Sequence, residues 1–355
     1  MDTQLDIFSI MHPTFKITKP IRLIELFGGI GAPRKALERL NIDFKVVDYV
    51  EIDKYAVKSY NAIYNENFEP QDICEWDKDI EVDLIFHGSP CQDFSLAGKQ
   101  AGGEEESGTR SSLMWHTVRI VEKLKPKYVI WENVKNVISK KHRHTFDKYL
   151  SKLEELGYTN HWQVLNAKDY GIPQNRERVF VISILGEHKP YTFPPKQELK
   201  LSLKDMLEDE VDEKYYLSNK MIKYISATGT ANFRNPDCKI NLDIARPLTT
   251  APNKRAGTTN YFSDDLPDNY DLNGSSYLRN FGSKGKLQDK GVVMSDLRIR
   301  KPTPKEYWRL MGFADEDFEK AAQVNSNTQL YKQAGNSIVV NVLEAIFKEL
   351  FRVGE

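Results

Sequence analysis

A chain of 355 residues with 40% hydrophobic content is long enough for one large domain or two and apolar enough for a sizeable core. Fifty Lys and Arg against 51 Asp and Glu leave a net charge of -1, which excludes a globally basic nucleic-acid coat but permits a local basic cleft. The three cysteines, Cys74, Cys91 and Cys238, are odd in number and lack a Cys-x-x-Cys spacing, so neither a disulfide framework nor a zinc site is expected. A reducing cytoplasm fits this usage. Residues 1–20 form a polar arm without a signal-peptide pattern, and no window approaches a membrane-spanning length, so a soluble protein away from membranes is expected.

After the arm, Ile21–Leu26 reads as a strand running into the glycine turn Phe27-Gly28-Gly29-Ile30-Gly31, and Arg34–Leu40 as a helix. Strand, glycine turn and helix make the first half of a nucleotide-type βαβ unit, in which backbone and helix N-terminus face a ligand. Arg34 stands where a dinucleotide fingerprint needs its third glycine, which argues against a nicotinamide cofactor. The second strand, Phe44–Val50, ends at Glu51-Ile52, where such folds place a carboxylate on ribose hydroxyls. Asp72-Ile73 precedes a third strand, Val82–Phe86, and offers another acid at the same sheet end.

That third strand delivers Gly88-Ser89-Pro90-Cys91-Gln92-Asp93-Phe94-Ser95, a thiol on a Gly/Pro loop just past a strand end, where open α/β sheets bind ligands. Residues 95–109, rich in Gly, Ser and charge, read as a loop able to close over a substrate or as plain surface. Arg110–Leu124 is helical. The strand Pro126–Trp131 hands over Glu132-Asn133-Val134, a carboxyl beside apolar Trp131 and Val134, where its protonated form is favoured; a helix cap is the plain alternative. A helix over Thr145–Leu156 and a strand over Trp162–Leu165 come next. Gln174-Asn175-Arg176-Glu177-Arg178 then leads into the strand Val179–Leu185, so Arg176 and Arg178 are expected on one side of an extended segment, ready for oxygens of a base or phosphate or for surface ion pairs.

Pro194-Pro195 marks a boundary, after which regular periodicity fades until about Met294. This stretch, including Arg246-Pro247-Leu248-Thr249 and Lys254-Arg255, has residue types suited to phosphates and base edges. Order returns over Arg300–Phe313, read as a helix with a proline-rich start, and Gly335-Asn336-Ser337 opens onto an apolar helix, Ile338–Leu350.

In order along the chain, Phe27-Gly28-Gly29-Ile30-Gly31, Pro90-Cys91-Gln92, Glu132-Asn133-Val134, Gln174-Asn175-Arg176-Glu177-Arg178 and Gly335-Asn336-Ser337 resemble the motifs of the bacterial and phage cytosine-5 DNA methyltransferases. The resemblance implies a Rossmann-like α/β catalytic domain with a mostly parallel sheet and helices on both faces (21–189, completed by 299–355), plus a small loop-rich, mainly β target-recognition domain (190–298). It implies S-adenosyl-L-methionine held by Phe27, Gly28, Gly29, Ile30, Gly31, Glu51, Ile52, Asp72, Ile73, Pro90, Leu113, Asn336 and Ser337, leaving S-adenosyl-L-homocysteine. The implied catalytic residues are Cys91, Glu132, Arg176 and Arg178. Gln92, Ser95, Arg246, Thr249, Lys254 and Arg255 are the implied DNA contacts.

The chemistry is dictated by cytosine itself, whose carbon 5 is a poor nucleophile until a thiolate adds to carbon 6. Cys91 is the implied nucleophile and Glu132 the partner of ring nitrogen 3, with the target base flipped out of the duplex. Expected alongside are double-stranded DNA as partner, a monomer, no metal, and a cognate restriction endonuclease acting independently or an orphan or phage protection role. A tRNA cytosine-5 methyltransferase and an inactive DNA-binding relative are the alternatives. Intact Cys91 and Glu132 favour an enzyme.

Overall fold

The computed structural model describes residues 19–90, 110–226, 238–252, 259–271 and 297–352. The chain divides into two compact units, one made of residues 1–166, 177–196 and 338–355 and the other of residues 167–176 and 197–337.

The first unit is built on a six-stranded sheet in the order β2-β1-β3-β4-β6-β5. Its strands are β1 (Ile21–Leu26), β2 (Phe44–Val50), β3 (Leu84–His87), β4 (Tyr128–Val134), β5 (Tyr158–Asn166) and β6 (Glu177–Leu185). β1 pairs in parallel with β2 and β3, and β3 with β4, whereas β6 runs antiparallel to both β4 and β5. The carboxyl ends of β1 to β4 therefore share one edge. The apolar strands β1, β3 and β4 are buried on both faces, as parallel strands between helical layers must be.

Side-chain alternation sets the two layers. Ile24, Leu26, Ile85, Val129 and Trp131 pack with Met114, Trp115, Val118 and Val121 of α3 (Met114–Leu124) and with Phe146, Tyr149 and Leu153 of α4 (Arg143–Glu155). On the other face, Tyr128 meets Phe351 of the terminal helix α9 (Val340–Phe351) edge to face at 5.5 Å. An Arg39–Glu344 ion pair joins α9 to α1 (Ala32–Arg39). α2 (Lys54–Tyr64) connects β2 toward β3, capped by the Asp53 carboxylate on the Tyr55 N–H. No helix among the described residues is long and apolar enough to cross a membrane.

The second unit contains a two-stranded ribbon, β7 (Lys239–Ile240) with β8 (Tyr270–Asp271), and α5 (Asn219–Ser226) over a core of Ile222, Ile225, Cys238, Ile240, Tyr261, Leu297 and Ile299. It also holds α6 (Pro304–Arg309), α7 (Asp315–Ala322) and α8 (Asn327–Asn336). The start of α6 is fixed by a capping box between Thr303 and Glu306, and the buried Glu306 carboxylate also takes both arms of Arg300 at 2.8 and 2.9 Å.

Candidate active site

The glycine turn at the end of β1 carries unusual backbone. Phe27 has a φ of 54°, a left-handed conformation that costs a non-glycine residue roughly 1–2 kcal/mol. Gly31, the N-cap of α1, has a φ of 76°, and a Cβ there would come within 2.6 Å of the Tyr64 ring and 2.7 Å of Tyr60. Two phenols hold the turn by its carbonyls: Tyr49 O–H donates to Gly29 O at 2.7 Å and Tyr64 O–H to Gly31 O at 2.8 Å. Tyr60 instead donates to the fully buried Glu25 carboxylate at 2.6 Å, and the Arg34 backbone N–H reaches its other oxygen at 3.4 Å. Burial pushes the Glu25 carboxyl up to about 7, against the lowering pull of Tyr60 and Arg34.

This tyrosine and glutamate support escaped the sequence reading, which took Glu25 as a plain strand residue. The i, i+4 spacing of Tyr60 and Tyr64 on α2, with Tyr49 on the adjoining strand, was the available signal.

Glu51, at the end of β2, accepts from Gly29 N–H at 3.1 Å and from Asp53 N–H at 2.8 Å, so it bridges strand end and turn. Burial raises its carboxyl pKa. Its carbonyl accepts from Gln71 N–H at 2.9 Å, which brings the Asp72-Ile73 segment beside it. The Asp72 carboxylate closes a local turn on Cys74 N–H at 2.9 Å, and the Ile73 carbonyl accepts from Arg119 of α3. Ile52 is exposed, while Phe27, Ile73 and Leu113 are apolar members or flanks of the core cluster.

A few strands along the same edge, Gly88-Ser89-Pro90 leaves β3. The Ser89 hydroxyl accepts from the Trp131 indole N–H at 3.0 Å, and the Ser89 carbonyl from Asn133 Nδ2 at 3.3 Å. Trp131 is backed by the parallel ring of His87, whose Nε2 shares a 2.8 Å hydrogen bond with the Tyr149 hydroxyl. Burial lowers the His87 pKa to about 3, so this imidazole is neutral. Cys91, Gln92 and Ser95 lie outside the described residues, as does the closing loop expected over 95–109.

Glu132 does not come after its strand, as expected from the sequence, but lies within it. The antiparallel partner β6 extends the ladder to Val134, pairing Glu132 with Phe180 and Val134 with Arg178. Arg178 is thus the diagonal neighbour of Glu132 on one face, and its Nε sits 3.0 Å from Glu132 Oε1. The carboxylate therefore meets a cation as well as apolar neighbours. Its other oxygen lies 3.8 Å from where a Gly88 Cβ would be, which puts the pair beside the loop leading to Cys91.

Arg176, expected beside Arg178 and ready for oxygens of a base or phosphate, is buried in the second unit, where its guanidinium donates to the carbonyls of Leu248, Gly335 and Ser337 at 3.2, 3.1 and 2.9 Å. Gln174 is spent in the same way, donating to Leu310 O at 2.7 Å and accepting from Leu248 N–H at 3.1 Å. Gly335 of α8 is required by this clamp, because a Cβ there would lie 2.6 Å from the Thr249 backbone. Thr249 itself is exposed, and Arg246 is held through its backbone by Asn260. Asn336 is exposed at the end of α8 and Ser337 caps it, while Lys254 and Arg255 lie outside the described residues.

Among the described residues no group of three or more His, Cys, Asp and Glu could hold a metal ion. The arrangement in the first unit offers a buried acid with a fixed cation, a backbone turn with fixed carbonyls, and a carboxylate at the end of β2, all on one sheet edge.

Comparison with known proteins agrees with this architecture. The model of the C-5 cytosine-specific DNA methylases matches residues 21–352. The chain is 37% identical to the type II methyltransferase M2.ScrFI of Lactococcus lactis subsp. cremoris, covering 94% of this chain and 99% of that protein. It is 32% identical to the orphan methyltransferase M.SPRI of Bacillus phage SPR, covering 93% and 97%. Among solved structures, the Entamoeba histolytica methyltransferase EhMeth superimposes with a TM-score of 0.73 at 22% identity, covering 94% of this chain and 99% of that one, a likeness of fold. With a family model spanning nearly the whole chain and relatives above 30% identity over 97–99% of their length, the chain belongs to the C-5 cytosine-specific DNA methylases.

Proposed function

We propose that the chain methylates carbon 5 of a flipped cytosine within a specific sequence of duplex DNA, with Cys91 as nucleophile and Glu132 as the group that binds the base. The observation that carries this reading is the Glu132–Arg178 pair beside Gly88, three residues before Cys91 and on the sheet edge that also holds the glycine turn. Arg178 fixes the carboxyl in one orientation. Glu132 can then hydrogen-bond ring nitrogen 3 and steady the charge that develops as the thiolate adds to carbon 6. The Trp131 and Asn133 bonds to Ser89 hold the loop stem that presents the thiol. After methyl transfer, loss of the carbon 5 proton and expulsion of the Cys91 thiolate restore the ring.

The residues at the glycine turn fit S-adenosyl-L-methionine. A side chain built on Gly29 would meet no heavy atom within 4 Å, so that face of the turn is open. Glu51 suits two ribose hydroxyls, and exposed Ile52 with Phe27, Ile73 and Leu113 suits the faces of an adenine. When bound, this group supplies an electrophilic sulfonium methyl. Asp72, Pro90, Asn336 and Ser337 are proposed to complete its binding, and residues 190–298, with Arg246, Thr249, Lys254 and Arg255, to read the DNA. A monomer in the bacterial or host cytoplasm, beside a restriction enzyme or as an orphan, is the setting proposed.

The experiment is transfer of labelled methyl from S-adenosyl-L-methionine to duplex DNA and, separately, to tRNA. Label in DNA at 5-methylcytosine supports the reading. Label in tRNA alone overturns it.

A further inference from the structure

We propose that an exposed basic run at the start of α4, carried by Lys140, Lys141, Arg143 and His144, docks the phosphodiester backbone of duplex DNA beside the target base; this rests on the reading of the chain as a DNA methyltransferase. Residues 140–144 are Lys, Lys, His, Arg and His in a chain whose net charge is -1. All but His142 are exposed.

Their place in the fold supports the assignment. β4 runs parallel to β1 and β3, so the segment after Val134 emerges on the edge that holds the glycine turn and Gly88-Ser89-Pro90. One turn, Lys135–Ile138, and the bend 139–142 set the run there. The bend is braced: Ser139 N–H donates to Asn136 O at 3.0 Å, His142 N–H to Ser139 O at 3.0 Å, and Phe146 N–H to His142 O at 3.2 Å. Arg143 is steadied between the Phe146 and Trp162 rings at 5.5 and 5.4 Å and bonds Asp147.

The electrostatics run against folding alone. Carboxylates are favoured at a helix N-terminus and cations at its C-terminus. α4 departs from this pattern at its start, with no acid in its first turn, while its far end mixes Glu154 and Glu155 with Lys152. Lys140 and His144 make no ion pair among the described residues. Cations held where they oppose the helix dipole, on the edge where the base is bound, have their natural partner in a polyanion lying across that edge. Contacts of this kind fix position on the duplex without reading sequence.

The test is Lys140→Ala/Lys141→Ala in the full chain, with a fluorescein-labelled duplex of mixed sequence titrated at several salt concentrations. The double variant should bind more weakly, and the slope of log Kd against log salt should fall by about one to two, at about 0.9 for each phosphate no longer neutralised. Its affinity for S-adenosyl-L-methionine should stay at the wild-type value, and it should melt no lower than wild type without DNA. Lys140→Arg/Lys141→Arg should keep the wild-type slope. A double variant with wild-type affinity and slope, or a loss seen only with tRNA, overturns the proposal while wild-type methylation of DNA leaves the enzymatic reading standing. A wild type that neither binds nor methylates duplex DNA overturns both.

Discussion

Trp131 donates its indole N–H to the hydroxyl of Ser89 at 3.0 Å, so the strand that carries Glu132 also holds Ser89, two residues before Cys91 in sequence. With the Asn133 side chain on the Ser89 carbonyl, this bond ties the end of β3 to the strand bearing Glu132, the link that the proposed mechanism uses. Ser89→Ala leaves the buried indole N–H without its acceptor, a change worth about 1–3 kcal/mol. The expected result is a fall in kcat of roughly ten-fold, the effect of about 1.4 kcal/mol on a barrier, with S-adenosyl-L-methionine affinity retained. Steady-state kinetics beside calorimetric binding measure both, and an unchanged kcat contradicts the coupling.

The Arg178–Glu132 pair makes a second prediction. Arg178→Ala leaves a nearly buried carboxylate without its cation, and should lower kcat more than it weakens cofactor binding. Arg178→Lys should recover part of the loss, because an ammonium supplies the charge without the planar fork. Equal losses in turnover and cofactor affinity would contradict this placement.

Much of this edge could be read from the sequence, and the reasons for the failures are physical. β1 and β2 match their apolar runs end to end, since each is bounded by a glycine or polar turn. β4, β5 and β6 run longer than their apolar cores, because antiparallel pairing recruits Glu132, Asn133, Glu177 and Arg178 into the ladder, and pairing between segments tens of residues apart leaves no local pattern. Tyr49, Tyr60 and Glu25 act on the glycine turn through partners 20 to 35 residues apart, also beyond any window. Arg176 and Arg178 look alike in sequence, yet one braces carbonyls and the other pairs with an acid.

Glu25 predicts a pH dependence. Its folded pKa of about 7 lies above the ordinary 4.5, so the folded state holds the proton more tightly than the unfolded one. The stabilisation is full below about 4.5 and is lost as pH rises through about 7, on the order of 3 kcal/mol in all. Glu25→Gln, which stays neutral, should remove that slope. Denaturant melts of wild type and variant at about pH 5 and about pH 8 decide it; parallel pH dependences would contradict the assignment.

Gly335 tests the clamp formed by Gln174 and Arg176. Gly335→Ala drives a methyl into the Thr249 backbone and should cost about 1–3 kcal/mol, an overpacking penalty. Thermal unfolding should show a lowered Tm. An unchanged Tm would mean that the segment at 249–250 moves away freely.

The central claim is that Cys91 adds covalently to cytosine while Glu132 holds the ring. It is tested most directly with duplex DNA whose cytosines are replaced by 5-fluorocytosine, a base that cannot lose its carbon 5 substituent as a proton. In the presence of S-adenosyl-L-methionine the wild-type chain should form a complex with this DNA that survives denaturing electrophoresis, and Cys91→Ser should form none. A wild type that leaves no covalent complex, or a Cys91→Ser variant that traps equally well, would contradict the account.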